Sequence, residues 1–509
     1  MPPTQLDLAS HFLDRNLDQG RSDRPALLGP TGPTSYADLA ALTNRIGNVL
    51  LGFGVAPGDR VLLALSDGVE FVAAWYAAQK VGAITAEVYT FLTAKDYAYF
   101  LDYTDATVII ADSLTLDRLR EAGVQDRTVL VVGAGELRST EHDLDALALG
   151  AESTLDPVPR AEGAVALWKF TTGSTGAPKA CPHGVRSPLN SHKWYARGVL
   201  GLTEDDIVLP VPKLFFGYAR DLTALFPFGV GGAGIVFPER TTPERVFALI
   251  ARYRPTVLVN VPTMMAAMVA HPLAADQDLS CLRLCTSAGE ALPPELHRKW
   301  DTTFGVEVID GIGSSEAYHI YISNRPGAAK TGSIGSLVPG YTARVVDPDG
   351  VEVPDGEVGT LEITGATAAS EYVGDPAKSA TTFPGDDTVH TGDLVVRDPD
   401  GEFHYRGRAD DLLKVSGIWV APSEIEHCLI GHPDVVECAV LGHNRDGLIR
   451  PYAFVVVTGQ ATEDDLRRFV RERLSPHKTP ERVVFVATLP RTTNGKLDRR
   501  ALRALDVSS

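Results

Sequence analysis

Residues 169–184 read KFTTGSTGAPKACPHG and come directly after the hydrophobic run 165–168. Glycine, serine, threonine and proline are the ordinary residues of turns, so this composition is typical of a simple connection between two elements. Backbone N–H groups freed by glycines, with hydroxyl side chains beside them, also bind phosphate chains. The stretch is not a Walker loop, because Gly176 is followed by Ala-Pro-Lys and not by Gly-Lys-Ser or Gly-Lys-Thr. A turn and a phosphate-binding loop are therefore both open at this point.

The composition is that of a folded, acidic protein with several domains. The chain has 509 residues, of which 44% are hydrophobic and 22% charged, and this length predicts two or three domains. Its formal net charge of −18 argues against nucleic acid or an anionic membrane as a partner, since either would need a basic face. Any phosphate-bearing ligand must then be bound by a local site.

Cysteine usage and the first residues indicate a cytoplasmic protein. The five cysteines form neither a Cys-x-x-Cys pair nor an even disulfide framework, which favours a reducing compartment. The opening run MPPTQLDLASHFLDRN lacks the charged-then-apolar pattern of a signal peptide, and no uninterrupted apolar stretch of about eighteen residues occurs. We therefore expect a soluble cytoplasmic protein without a membrane partner.

The distribution of apolar residues predicts an α/β fold. Helical spacing over 36–50 is followed by a break and by the strand-like run 61–65, and similar alternation continues through the first half of the chain. Such alternation favours α/β layers with largely parallel sheets. Short strands with Asp-Pro-Asp-Gly turns then predict a β-rich subdomain at about 341–407. The predicted fold is a large N-terminal domain of α/β layers, residues 1–409, and a small α+β C-terminal domain, residues 410–509.

Five further stretches change the interpretation when they are read in order. They are SAGEALP at 287–293, DGIGSSE at 310–316, HTGDL at 390–394, GRADDLLKVSG at 407–417 and LPRTTNGKLDRR at 489–500. With the first stretch, they resemble the adenylate-forming superfamily of acyl-CoA synthetases, firefly luciferases and peptide-synthetase adenylation domains over nearly the whole chain. The runs KLFFGYARD at 213–221 and DGIGSSEAYHIYISN at 310–324 are most similar to the benzoate-CoA ligase branch. The chain also resembles, through no single residue, ligases that activate bulky diterpenoid acids in antibiotic pathways.

The resemblance implies two half-reactions in one cleft. A carboxylate attacks the α-phosphate of ATP to form an acyl-adenylate and pyrophosphate, and the thiol of coenzyme A then displaces AMP. The first step needs the phosphate charge neutralised by loop amides, a metal and a cation. Glu316 matches the Mg²⁺ ligand and Lys496 the mobile lysine of this step; without the family, they are a glutamate at a helix N-terminus and a solvated charge. The residues that match the phosphate loop are Thr171, Thr172, Gly173, Ser174, Thr175, Gly176 and Lys179.

The resemblance also assigns residues to the nucleoside and to the thiol. Asp393 and Arg408 match the positions that hold the ribose hydroxyls, although an aspartate there also fits an ordinary Asx turn. Asp410 matches the hinge about which a mobile C-terminal domain rotates between the two steps, and that rotation would bring Gly417 to the path of the thiol. The residues that match the adenine site and its surroundings are Gly289, Glu290, Ala291, Asp310, Gly311 and Ser315.

The pocket for the acid is assigned by likeness to the benzoate branch. The small residues Gly217 and Ala317 predict more room than benzoate needs. A histidine on such a strand, here His319, is by itself more typical of a packed core residue than of a ligand contact. The positions that match the pocket and its aromatic gate are Phe215, Gly217, Tyr218, Ala219, Gly313, His319 and Ile320.

Four positions near these sites depart from the family pattern. Lys169 replaces an apolar residue in a strand under the phosphate loop, where a buried charge is unfavourable unless it reaches solvent or a partner. Ala180 replaces a glycine and Thr172 a serine. Arg220 lies in a run that normally contains glycine, and it could bind the acid's carboxylate in an unreactive pose or pair with Asp221 or solvent. These departures leave open an enzyme whose adenylation step is impaired.

The predicted function is that of an acyl- or aryl-CoA ligase acting through an acyl-adenylate on a bulky or aromatic acid of secondary metabolism. It would use ATP, Mg²⁺ and coenzyme A. Three alternatives stay open: a ligase that performs only thioester formation on an acyl-adenylate from a partner adenylating enzyme, a carrier-protein loading enzyme, and a non-catalytic ligand-binding relative. A homodimer is compatible with each of them, and no feature supports light emission.

Overall fold

In the computed structural model, the described residues are 7–161, 163–171, 177–415, 418–445, 448–491 and 497–505. Three sheets with their helices build the N-terminal part of the chain, and two small sheets with their helices build the C-terminal part. The α/β fold with a smaller C-terminal domain is thereby confirmed. Within these ranges, no helix combines the length and the apolar character needed to cross a membrane. The five cysteines are free thiols.

The helices begin at side chains that cap them in several places. Ser35 accepts from the Asp38 N–H at the start of the second helix, and Thr93 forms a reciprocal cap with Asp96 at the fourth. Over the described ranges the α-helices are α1 (Arg15–Asp18), α2 (Tyr36–Gly52), α3 (Val69–Lys80), α4 (Ala94–Thr104), α5 (Leu116–Ala122), α6 (Leu144–Gly150), α7 (Arg186–Ser191), α8 (Gly217–Arg220), α9 (Pro243–Tyr253), α10 (Pro262–Val269), α11 (Pro294–Phe304), α12 (Pro376–Thr382), α13 (Pro422–Ile430), α14 (Glu463–Arg471) and α15 (Arg499–Arg503).

Over the described residues, the strands are between 2 and 11 residues long. They are β1 (Pro25–Gly29), β2 (Gly32–Ser35), β3 (Arg60–Ala64), β4 (Ile84–Glu87), β5 (Val108–Asp112), β6 (Thr128–Val132), β7 (Glu141–Asp143), β8 (Val165–Thr171), β9 (Lys179–Gly184), β10 (Ile207–Pro210), β11 (Ala233–Ile235), β12 (Val257–Asn260), β13 (Leu284–Ser287), β14 (Val308–Gly313), β15 (Ile320–Ser323), β16 (Ser336–Leu337), β17 (Thr342–Val346), β18 (Val358–Thr364), β19 (Thr388–Arg397), β20 (Phe403–Arg408), β21 (Leu413–Val415), β22 (Ile418–Val420), β23 (Val435–Arg445), β24 (Leu448–Val457) and β25 (Arg482–Phe485).

Two mostly parallel sheets share one large hydrophobic core. The first has the order β7-β6-β5-β3-β4-β8-β9, with only β8 and β9 antiparallel. The second has the order β16-β15-β14-β13-β12-β10-β11-β1-β2, with a parallel centre and antiparallel edges. Every residue of α3 from Phe71 to Lys80 is buried, as expected for a helix enclosed by other elements on all sides.

A third sheet and the C-terminal part follow. Strands β17 to β20 form an antiparallel sheet in the region where short strands were predicted. In the C-terminal part, β21 pairs with β22, and β23, β24 and β25 form a separate sheet around a core of their own. Helix α13 lies next to β20, where the Ser423 hydroxyl donates to the Arg406 carbonyl at 2.7 Å.

Three of the motifs singled out in the sequence follow the carboxyl ends of parallel strands. Residues 172–178 follow β8, residues 288–291 follow β13, and residues 314–319 follow β14. In open α/β sheets, ligands bind at this end of the strands. The segments after β13 and β14 therefore meet at one edge, where Ser315 also reaches the Phe170 carbonyl near the end of β8, and this edge is the candidate active site.

Candidate active site

The base of the predicted phosphate loop is an antiparallel strand pair. Thr171 and Lys179 are the last Cα partners of β8 and β9. Lys179 forms an ion pair with Asp375, with Nζ 2.7 Å from Oδ2, and its Nζ lies 5.3 Å from the centre of the Tyr372 ring. A lysine at the mouth of the loop is thus available to phosphates from a partly exposed position. The predicted loop residues Thr172, Gly173, Ser174, Thr175 and Gly176 lie outside the described residues.

Glu316, the predicted Mg²⁺ ligand, lies in a turn that is tied to the same hairpin. Its Oε1 accepts from the Tyr372 hydroxyl at 2.7 Å, and its carbonyl accepts from the Ala369 N–H at 2.8 Å. Ser315 donates from its hydroxyl to the Phe170 carbonyl at 3.2 Å. Lys179 and Glu316 therefore contact the same tyrosine from two sides.

The donor set around Glu316 suits a magnesium ion bound together with a phosphate. Mg²⁺ takes one or two carboxylates and completes its shell with phosphate oxygens and water. Within the described ranges, no group of three or more histidines, cysteines, aspartates and glutamates could form an all-protein metal site. A single carboxylate near Lys179, the lysine predicted to bind phosphate, therefore fits the predicted metal.

The stretch after β13 forms one edge of the candidate site. Gly289 has φ +86°, and the space where a side chain would begin is open. Glu290 accepts through Oε2 from the N–H and the hydroxyl of Thr263 at 3.0 and 2.7 Å, and Ala291 follows it. The guanidinium of Arg491 donates to the Thr263 hydroxyl at 3.2 Å. The C-terminal part of the chain thus touches this edge through Arg491.

Asp310 and Gly311 begin the next wall, on β14. Burial raises the pKa of the Asp310 carboxyl to about 8, so that a large share of it is protonated at neutral pH. A Cβ on Gly311 would lie 2.7 Å from the Ile322 carbonyl oxygen, which explains the glycine by its close approach to β15.

Asp393 and Arg408, the predicted ribose residues, are neighbours. They are Cα partners in β19 and β20, and Arg408 Nη1 donates to Asp393 Oδ1 at 2.8 Å and to the Thr391 carbonyl at 2.7 Å. Burial raises the pKa of Asp393, while Arg408 opposes this. The Asp393 N–H also donates to the Thr391 hydroxyl at 3.1 Å, so the local turn is closed by the threonine side chain and not by that of the aspartate.

Aromatic rings surround the residues assigned to the acid pocket. The His319 ring is buried among Phe226, Tyr195 and Tyr218, with ring centres 5.0, 5.4 and 5.9 Å away. Burial lowers the pKa of His319 to about 3, with a smaller contribution from the charge of Lys169, so the imidazole is neutral at pH 7. The neutral ring makes this part of the wall apolar and aromatic.

The remaining pocket positions lie in residues 213–221 and 310–324, the two segments that also contain Tyr218 and His319. Gly313 and Ile320 are Cα partners across β14 and β15, and a Cβ on Gly313 would lie 2.5 Å from the His319 carbonyl oxygen. Ala219 is buried in α8, and the Phe215 ring lies 4.8 Å from that of Tyr89, centre to centre. Tyr218 thus lies against His319 and Gly313 against Ile320, and Phe215 packs on Tyr89 and Phe216.

Lys169 is buried but is not an unpaired charge. Its Nζ donates to Asp221 Oδ2 at 2.9 Å and to the Tyr318 carbonyl at 2.6 Å. Burial lowers the pKa of Lys169 to about 8, and Asp221 opposes that shift. Arg220 points into the same interior, where it donates to Asp221 and Glu87. The suggestion that these two cations hold ATP or the acid in an unreactive pose is therefore wrong in its mechanism, because both are neutralised inside the protein.

The interpretation of Gly217 as extra room for the acid is also wrong. A Cβ on Gly217 would lie 2.4 Å from Lys169 Cε and 2.5 Å from Lys169 Nζ. The space left by the missing side chain is filled by the lysine and not by solvent or substrate. Ala317 is fully buried, so it too gives no sign of open volume.

The hinge and the C-terminal motifs are described only in part. Asp410 is exposed and lies in the single 3₁₀ turn Ala409–Asp411 between β20 and β21. Asp411 forms an ion pair with Arg499 at 3.6 Å. Gly417 and Lys496 lie outside the described residues.

Sequence reasoning missed four residues that hold the site together. Tyr372 and Asp375 contact Glu316 and Lys179, and Glu87 and Tyr318 contact the buried cations. The one available signal was the cost of burying Lys169 and Arg220, which required carboxylates nearby. The pairing of Arg220 with Asp221, one of the alternatives predicted from the sequence, is confirmed, whereas no pattern pointed to Glu87 or to the contact of Asp221 with Lys169.

Comparison with known proteins finds the two domains of one kind of enzyme in two successive parts of the chain. Residues 13–373 match the family described as AMP-binding enzyme, and residues 424–496 match the AMP-binding enzyme C-terminal domain. A benzoate–CoA ligase of Thauera aromatica is 38% identical, with 99% of this chain and 96% of the relative aligned.

Solved structures agree with this match. An anthranilate CoA ligase in complex with anthranoyl-AMP superposes with a TM-score of 0.93 at 35% identity, covering 98% of this chain and 97% of the other. A benzoate CoA ligase from Burkholderia xenovorans LB400 gives a TM-score of 0.90 at 35% identity, covering 98% and 99%. The similarity thus extends well beyond the motifs.

Proposed function

The chain belongs to the AMP-binding enzyme family and is an AMP-forming CoA ligase, and from this premise we propose that its substrate is an apolar cyclic carboxylic acid, with aromatic acids as the first class to test. The observation that carries the proposal is the ring-lined wall at His319, where Phe226 and Tyr218 pack around a neutral imidazole. Aromatic rings pack favourably edge-to-face and offset against such a wall. The similarity to benzoate and anthranilate ligases supports the same class of acid.

The roles proposed for the nucleotide residues follow from their contacts. Lys179 and Thr171 would bind phosphate oxygens at the mouth of the hairpin, and Asp393 with Arg408 would bind the ribose. A magnesium ion held by Glu316 would neutralise phosphate charge. Gly289 would let the backbone approach the adenine, since its open side carries no Cβ.

The two half-reactions exchange one bond each. In the first, a carboxylate oxygen bonds to the α-phosphorus while the bond to pyrophosphate breaks. In the second, the thiol loses its proton, its sulfur bonds to the acyl carbon, and the bond to the AMP oxygen breaks. We assign Lys496 to the first step, and the Arg491–Thr263 contact supports this because Arg491, in the same C-terminal motif, reaches the edge assigned to adenine.

Rotation of the C-terminal domain about Asp410 is part of the proposal. A short, exposed aspartate in a single 3₁₀ turn suits a residue that must adopt two backbone conformations. The domain boundary at 409 and 410, the placement of Gly417 on the thiol path, a cytoplasmic location and a role in secondary metabolism belong to the same proposal.

One observation favours a second candidate, a ligase that performs only thioester formation on a supplied acyl-adenylate. Lys179 is paired with Asp375, and Glu316 with the Tyr372 hydroxyl, so both groups that would meet ATP already have partners. An acyl-adenylate lacks the β- and γ-phosphates, so its binding does not need to displace these contacts. ATP must compete with them.

A single assay separates the two candidates. The protein is incubated with CoA and either an aromatic acid plus ATP or the matching synthetic acyl-adenylate, while pyrophosphate and thioester are measured separately. The full ligase should release pyrophosphate and form thioester in the first incubation. Thioester from the adenylate alone would establish the second candidate, and no thioester in either incubation, across benzoic, hydroxybenzoic, aminobenzoic and polycyclic acids, would refute both.

A further inference from the structure

Four charged side chains form a buried cluster behind the acid pocket. Arg220 donates to Glu87 Oε1 at 2.7 Å and to Asp221 Oδ1 at 2.8 and 3.0 Å, and Lys169 donates to Asp221 Oδ2 at 2.9 Å. The side chains are between 0 and 5% exposed. Two carboxylates therefore balance two cations in the interior, where an unbalanced charge would be strongly unfavourable.

Within this cluster, the stem of Lys169 passes directly over Gly217. A Cβ built on Gly217 would lie 2.4, 2.5 and 3.0 Å from Lys169 Cε, Nζ and Cδ. Heavy atoms that are not bonded do not approach this closely. The lysine thus occupies the volume that any larger residue at 217 would need, and Gly217 is explained by the lysine.

The ammonium of Lys169 also holds the segment on the other side of the pocket. Its Nζ donates to the Tyr318 carbonyl at 2.6 Å and lies 3.6 Å from the centre of the Tyr318 ring. Tyr318 has φ +75°, a backbone conformation that residues with side chains rarely adopt. A charge-assisted hydrogen bond and a cation–π contact on one residue keep it in that conformation. The next residue is His319.

We propose that Lys169 determines the size and shape of the acid pocket, its stem closing the wall at Gly217 and its ammonium positioning the turn of Tyr318 and His319. The inference rests on the proposed function, since it takes Gly217 and His319 as walls of that pocket. Lys169 is a positioning residue in this proposal: it acts on the acid through the two walls that it holds.

The two parts of the lysine have separable effects. Shortening the stem to alanine opens volume beside Gly217, so that a wider acid gains more than a narrow one. Replacing lysine by methionine keeps most of the stem but removes the hydrogen bonds to Asp221 and Tyr318, so that the turn loses its anchor for every acid alike.

The test uses the full chain, CoA, and synthetic benzoyl-adenylate and naphthoyl-adenylate. In Lys169→Ala, the ratio of kcat/KM for the naphthoyl over the benzoyl substrate should rise by on the order of tenfold, the usual scale of steric selection in an apolar pocket. In Lys169→Met, kcat/KM should fall for both substrates while their ratio stays near that of the unmodified protein. A ratio that is the same in all three proteins would overturn the proposal.

A second measurement tests the contact itself and does not need activity. Gly217→Ala should lower the thermal midpoint, and the same change should cost much less in the Lys169→Ala background, because the clash is then absent. Additive losses would overturn the claim that Lys169 fills this space, whether or not the enzyme turns over. An unmodified protein that forms no thioester from these two adenylates or from those of hydroxybenzoic and aminobenzoic acids would instead refute the proposed function.

Discussion

Lys169 and Lys179 lie on the two strands of one hairpin, and each is paired with an aspartate, yet the two pairs differ in burial and in what surrounds them. The side chains of Lys169 and Asp221 are 5 and 0% exposed, whereas those of Lys179 and Asp375 are 27 and 34% exposed. The buried pair belongs to a network of four charges, and the other pair stands at the mouth of the site.

This difference distinguishes a lysine whose buried charge is part of the fold from a lysine whose carboxylate partner a ligand can replace. An exposed ion pair is screened by water and salt and contributes little to stability, so a ligand phosphate can replace its carboxylate at low cost. A buried pair has been removed from water, and the loss of one partner leaves a charge that nothing else can solvate. The comparison supports the proposals that Lys179 binds the nucleotide and that Lys169 shapes the protein around the acid.

The largest expected effect is on stability at the buried pair. Asp221→Asn removes the carboxylate that Lys169 and Arg220 share and leaves Glu87 as the remaining anion of the cluster. The free energy of unfolding should fall by about 3–5 kcal/mol, measured by urea denaturation. The matched change in the exposed pair, Asp375→Asn, should leave the unfolding midpoint unaltered within error. Equal losses in the two variants would remove the distinction between the pairs.

The second effect is on catalysis, where we expect the two lysines to act on different steps. Lys179→Met removes a cation that would meet the phosphates, so pyrophosphate release from acid and ATP should fall on the order of 10²- to 10³-fold, the scale of one lost transition-state contact. Thioester formation from a supplied adenylate should be largely retained. Lys169→Met should instead lower both rates. Should Lys179→Met lower both rates by the same factor, it would act on the fold and not on ATP.

The third effect follows from the lowered pKa of Lys169. In the folded protein this pKa is about 8 because burial disfavours the charged form, while an unfolded lysine titrates near 10.4. Between about pH 8 and 10.4 the unfolded chain therefore binds more protons, so this lysine makes folding more favourable as the pH rises, by at most about 1.4 kcal/mol per pH unit. Urea denaturation of the unmodified protein and of Lys169→Met should show a stability difference that grows in favour of the former across this window. A difference that stays flat would contradict the assignment.

The fold could be predicted from the sequence because the evidence for it lies in neighbouring residues. The motifs after β13 and β14 are likewise unbroken stretches of sequence, which the carboxyl ends of parallel strands bring to one edge, while the roles of their residues stay predictions. The alternation of helices and strands likewise depends on local spacing. Such features depend on neighbouring residues and can be recognised from the sequence alone.

The partners of Lys169 and Arg220 that are distant in sequence could not be predicted in this way. Asp221 is 52 residues from Lys169, and Glu87 is 133 residues from Arg220, so nothing local links them. Gly217 shows the consequence: a small residue predicts an open pocket, and only the path of the Lys169 side chain reveals that the space is filled. Tyr372 was missed for the same reason, since it lies 56 residues from Glu316.

The smallest expected effect is on the exposed pair itself and decides whether it competes with ATP. Asp375 holds the Lys179 ammonium at 2.7 Å, and ATP must replace that contact before its phosphates meet the lysine. Asp375→Asn removes the competing charge while keeping the shape and the polar cap at the start of α12. The KM for ATP should therefore fall, but by no more than a few-fold, because an exposed pair contributes little and salt already screens it.

Adding salt should reduce the difference between the two proteins, whereas KM values from supplied adenylate and CoA should be unchanged. If Asp375→Asn instead lowered adenylation as much as Lys179→Met does, Asp375 would be part of the catalytic machinery. The exposed pair would then tolerate the loss of a partner no better than the buried pair.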